Sequence, residues 1–111
     1  MAQTLDMLTF LRNLLNTPSP TGYHQEAIAF VAEAVKALEF PGLVMETTPK
    51  GALLVTIPGT ANDAPRTLSG HIDTLGAMVS KIKGNGRLML TQLGGYAWQA
   101  VEGENVTVQS E

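Results

Sequence analysis

The 111-residue sequence predicts an α/β fold in which two helices come first and strands follow. Two amphipathic repeats at three- and four-residue spacing occupy the first third of the chain, as helices require. Beyond Pro41-Gly42 the period shortens to that of strands, and two glycine-containing turns each separate a pair of short apolar runs.

The first helix is expected over residues 4–16, with Leu8, Leu11 and Leu15, joined by Leu14, as its core stripe and Thr4 as its N-cap. Pro18, Pro20 and Gly22 end it, because proline lacks the amide and clashes with the preceding turn. A second helix is expected over residues 23–38. Ile28, Val31, Val35 and Leu38 form its inner face, while Glu33 and Lys36 point outward. Strands over residues 43–47 and 52–57 flank Pro49-Lys50-Gly51 and read as a hairpin. Residues 58–65 form a polar loop, and residues 67–70 are an extended segment that delivers His71. A second hairpin pairs residues 77–82 with 87–92 around Gly84-Asn85-Gly86, the strongest turn signal in the chain. Gly94-Gly95 reads as a turn, residues 96–101 as a short helix or turn, and residues 106–108 as a last strand. The shift to nearly pure β signals near Thr74 to Ala77 marks a candidate boundary.

Composition excludes several function classes. The formal charge is -3 and the seven Lys and Arg residues are scattered singly, so no basic stripe is present to bind nucleic acid. No apolar run approaches the ~18 residues of a membrane span. The N-terminus lacks a basic n-region, so no secretory signal is expected and a cytoplasmic location is. With no cysteine, disulfides, thiolate metal sites and cysteine nucleophiles are ruled out.

Chemistry concentrates in Ser69-Gly70-His71-Ile72-Asp73. On an extended backbone His71 and Asp73 point to the same side, so an imidazole can bind a metal while the carboxylate steadies it or an attacking water. A catalytic zinc needs three protein ligands and an open position, and a two-metal site also needs a bridging carboxylate and a general base. The sequence offers one well-placed histidine and one well-placed carboxylate. A purely structural His–Asp hydrogen bond is therefore the competing reading. His24 is expected to be a solvated residue in the first turn of the second helix, and Asp63 is given no role. A glycosidase would require two carboxylates opposed across a cleft, and no such pairing is suggested.

Over nearly its whole length the chain resembles the N-terminal part of the co-catalytic zinc aminopeptidases that assemble as tetrahedral dodecamers, metallopeptidase family forty-two. The matching pieces are Leu11-Arg12-Asn13-Leu14-Leu15, Pro18-Ser19-Pro20-Thr21-Gly22-Tyr23 and Lys50-Gly51-Ala52-Leu53-Leu54-Val55. The most specific is Ser69-Gly70-His71-Ile72-Asp73-Thr74-Leu75-Gly76-Ala77-Met78-Val79, followed by Asn85-Gly86-Arg87-Leu88, Leu93-Gly94-Gly95 and Glu102-Gly103-Glu104-Asn105-Val106-Thr107-Val108. The pattern departs at Thr74, where the family usually has an acidic residue. It departs again at Thr47, Thr48 and Ala52, where an Asp and an Asn are common.

The resemblance implies that His71 is a ligand of one zinc and that Asp73 is the catalytic carboxylate orienting that site. It implies two divalent metal ions, zinc or cobalt, and short peptides trimmed from their N-termini. The full-length protein would be a homo-oligomer, from dimer to dodecamer. Residues 1–74 would begin a zinc-peptidase catalytic domain with two helices and a mixed sheet. Residues 75–111 would begin an inserted β-barrel, PDZ-like dimerisation domain, inside which the chain stops. The bridging aspartate, the general-base glutamate and the remaining ligands would lie further along, so the 111 residues alone are expected to be inactive. Two alternatives stay open at this point: a related di-zinc amidohydrolase or carboxypeptidase, and a small non-catalytic α/β binding module.

Overall fold

A computed structural model describes residues 6–61 and 63–110. The expected N-cap Thr4 lies outside the described residues. The chain divides into two units, Met1–Thr74 and Leu75–Glu111.

In the first unit, helix α1 spans Met7–Leu15 and α2 spans Gln25–Lys36. Asp6 caps α1: its carboxylate accepts from the Leu8 amide at 3.2 Å and also from the Thr9 hydroxyl. This satisfies an amide that has no partner within the helix. The two helices meet through Phe10 and Phe30, whose rings stack at a centroid separation of 5.5 Å. Such a pair contributes about 0.5–1.5 kcal/mol beyond the burial of its area. Ala27 on α2 is completely buried, and Ile28, Val31, Val35 and Leu38 are half-buried, as their spacing predicts.

The leucine stripe of α1 is not the core that its spacing suggested. Leu8 is 79% exposed, and Leu11 and Leu15 are exposed with it. On a helix advancing ~100° per residue, Phe10 and Leu14 share one face while Leu8, Leu11 and Leu15 share another. The aromatic contact turns the first face toward α2. Among the described residues nothing covers the second.

Strands β1 (Val44–Thr47) and β2 (Leu53–Thr56) form an antiparallel hairpin in which Met45 opposes Val55 and Thr47 opposes Leu53. Thr48 closes the turn: its amide donates to the Ala52 carbonyl, its carbonyl accepts from the Gly51 amide, and its hydroxyl accepts from the Ala52 amide. The expected mixed sheet does not form among the described residues. Residues 67–73 form no strand, and the one parallel contact among the described residues is an isolated bridge between Pro20 and Thr74. A strand exists only where a neighbour accepts its hydrogen bonds.

The second unit is built on the hairpin of β3 (Gly76–Ile82) and β4 (Leu88–Leu93). The register breaks between Val79 and Lys81, leaving Ser80 unpaired as a bulge. Val79 therefore opposes Leu90 and Ile82 opposes Leu88, so all four share one face despite the odd spacing along β3. Gly94-Gly95 forms a turn after β4, where the Gln92 amide donates to the carbonyls of Gly94 and Tyr96. A 3-10 turn, Trp98–Ala100, follows, with the Tyr96 and Trp98 rings edge to face. The strand expected over residues 106–108 is absent: these residues are exposed and pair with no strand among those described. No helix among the described residues is long and apolar enough to cross a membrane.

Candidate functional site

The loop after α1 meets the end of the segment that carries the His-Ile-Asp triplet. Pro20, Thr21, Gly22 and Tyr23 form a β-turn closed by the Tyr23 amide donating to the Pro20 carbonyl at 2.8 Å. Gly22 occupies the third position with φ +91°, the left-handed conformation that a type II turn demands there and that glycine alone adopts without penalty. Just before the turn, the Ser19 carbonyl accepts from the Thr74 amide at 2.8 Å. That bond fastens the loop to the residue that follows the His-Ile-Asp triplet. Ser19 itself is 2% exposed, and its hydroxyl has no partner among the described residues.

His71 and Asp73 meet side chain to side chain, as expected of the pair. The Nδ1 atom of His71 lies 2.9 Å from Oδ1 of Asp73 and 3.3 Å from the Asp73 carbonyl oxygen. Both neighbours are acceptors, so Nδ1 carries the proton and the Nε2 lone pair is left open. The imidazole is 85% exposed and the carboxylate 44%. The other carboxylate oxygen, Oδ2, accepts a 2.7 Å hydrogen bond from the Thr21 hydroxyl. Thr21 and then His71 hold the Asp73 carboxyl below its ordinary range, because each stabilises the charged form.

Sequence reasoning missed Thr21. The available signal was a hydroxyl residue at the second position of a proline- and glycine-marked turn, where the turn itself asks for no hydroxyl. His24 was misplaced as a solvated residue of the helix. It is the N-cap position of α2, makes no side-chain capping bond, and is half-buried against Gly51. Asp63 stays exposed on its loop.

The donor set fits one corner of a metal site. A ligating histidine commonly donates its second ring N–H to a carboxylate, which fixes the tautomer and aims the free nitrogen, and the His71–Asp73 pair has that arrangement. Among the described residues no group of three or more His, Asp or Glu side chains converges, so these residues by themselves do not complete a three-ligand site.

A helix pair with a hairpin, and an exposed imidazole backed by a carboxylate, suit an α/β metallohydrolase. The family model described as M42 glutamyl aminopeptidase matches residues 51–111, more than half of the chain, and the chain belongs to that peptidase family. It is also similar to the protein of Bacillus subtilis (strain 168) named "Putative aminopeptidase YhfE", with 34% identity over 112 residues. That match takes in 99% of this chain and 31% of the relative, so the chain spans under a third of that curated relative's length.

Proposed function

We propose that this chain is part of a metal-dependent aminopeptidase that removes N-terminal residues from short peptides. The carrying observation is the 2.9 Å contact of His71 Nδ1 with Asp73 Oδ1, which leaves Nε2 open on an exposed ring. In this reading His71 gives Nε2 to one of two divalent metal ions, zinc or cobalt. Asp73 holds the proton on Nδ1 and keeps the ring from rotating. The bound ions would supply Lewis acidity that brings the pKa of a water toward neutrality. In this reading a glutamate and the remaining ligands come from other parts of the protein.

Residues 75–111 begin a β-barrel, PDZ-like dimerisation domain within a cytoplasmic homo-oligomer, between dimer and dodecamer. The hairpin of β3 and β4 supports this, because among the described residues each strand has an edge without a partner strand. The 111-residue chain alone is inactive in this reading. Zinc titration of the full-length protein and of its His71→Ala variant tests it: the unaltered protein is expected to bind zinc roughly tenfold more tightly or better. Equal affinity would remove His71 from the metal site. Hydrolysis of aminoacyl-nitroanilides by the pure chain with zinc or cobalt would overturn the claim of inactivity.

A further inference from the structure

The loop that follows α1 does more than connect two helices. Its turn needs glycine at the third position and is indifferent to a hydroxyl at the second, where proline is the favoured residue. Thr21 nevertheless stands at that second position and sends its hydroxyl to Asp73, 52 residues away, at 2.7 Å. The turn is held on both sides, by the Tyr23–Pro20 bond within it and by the Thr74–Ser19 bond to the residue that follows the motif. The hydroxyl is therefore presented from a fixed point. A carboxylate gripped at Oδ2 cannot swing about its terminal torsion, so Oδ1 stays in line with His71 Nδ1 at 2.9 Å. One grip thereby sets the imidazole tautomer two bonds further on.

We propose that Thr21 is a positioning residue that acts through Asp73 to hold His71 with its proton on Nδ1 and its Nε2 lone pair open. Its significance for catalysis rests on the reading of His71 as a metal ligand; the tautomer control itself does not. Thr21 touches neither substrate nor metal in this scheme. It replaces the free rotation of a half-exposed aspartate by a single orientation, so that the ligand nitrogen is prepared before any metal arrives.

Long-range ¹H–¹⁵N spectra of the imidazoles test this on the metal-free 111-residue chain, at a pH high enough for neutral rings. There are two histidines, so His24 serves as an internal reference for folding. His71 of the wild type is expected to show the Nδ1–H pattern. Thr21→Val is expected to give a mixture of tautomers at His71 with His24 unchanged, and Thr21→Ser to restore the wild-type pattern. Thr21→Ala, which introduces no apolar bulk, is read in parallel and should match Thr21→Val. A wild-type pattern in either hydroxyl-free variant, or failure of Thr21→Ser to restore it, overturns the proposal. If Thr21→Val also disturbs His24, the Thr21→Ala and Thr21→Ser spectra decide the question. Zinc added to the full-length protein, which supplies the remaining ligands of the proposed site, then separates the two readings. If His71 Nε2 ignores zinc, the metal role fails while the tautomer result stands; if it responds, the hydroxyl-free variants should need roughly tenfold more zinc.

Discussion

The imidazole of His24 lies over Gly51, with Nε2 2.7 Å from the point that a β-carbon on Gly51 would occupy. Gly51 also has φ +85°, within the left-handed region where side chains are strained. Both facts oppose a larger residue, and both belong to the first hairpin's turn. Gly51→Ala is expected to lower stability by roughly 1–3 kcal/mol, the usual cost of forcing a side chain into that conformation. Urea unfolding checks it, with Gly84→Ala as the control, since nothing lies within 4 Å of a β-carbon there. Adding His24→Ala should recover only the steric share.

Ser19 is buried, and among the described residues its hydroxyl has no hydrogen-bond partner. Leaving such a group without a hydrogen bond costs on the order of 1–3 kcal/mol, whereas an apolar group of similar shape avoids the loss. Ser19→Ala is therefore expected to raise the denaturation midpoint or leave it unchanged. A clear fall in midpoint would mean that the hydroxyl finds a partner in solution.

The helix pair makes a contrast between two side chains of α1. Phe10→Ala removes half of the stack with Phe30 and is expected to cost roughly 2 kcal/mol, below the 3–5 kcal/mol of a fully buried phenylalanine. Leu8→Ala, on the uncovered face, should change stability by less than about 0.5 kcal/mol. Comparable losses in the two variants would show that the leucine face is packed in the protein in solution.

The lowered Asp73 pKa sets the sign of a pH effect. Its folded value lies below its unfolded one, so the stabilisation is complete above the unfolded pKa and is lost as pH falls through the folded value. The difference in stability between wild type and Thr21→Val should therefore shrink toward zero on acidification. Carboxyl ¹³C titration should show Asp73 protonating at higher pH in Thr21→Val. Identical titrations would deny the hydrogen bond.

Local chemistry was legible in the sequence, and long-range contact was not. Pro49-Lys50-Gly51 and Gly84-Asn85-Gly86 announced both hairpins because turn geometry is written in a few adjacent residues. The His71–Asp73 contact was legible for the same reason, being set within one segment. Periodicity correctly grouped Leu8, Leu11 and Leu15 on one face of α1, yet it says only which residues share a face, not what that face meets. The Thr21–Asp73 bond joins a turn to a loop residue across 52 positions, and no local rule brings them together. Residues 106–108 have strand composition and no strand, since pairing belongs to a partner and not to the segment.

Ser80 is the surplus residue of its strand. Excising it would leave Val79 across from Leu90, Lys81 across from Met89 and Ile82 across from Leu88, because those partnerships already skip it. Shortening by one residue there is expected to keep these pairs and to lose the Ser80 hydroxyl's bond to the Met89 carbonyl. Straightening the ladder while keeping Ser80 would instead slide the Lys81 ammonium across from Leu88, trading an apolar wall for a charge.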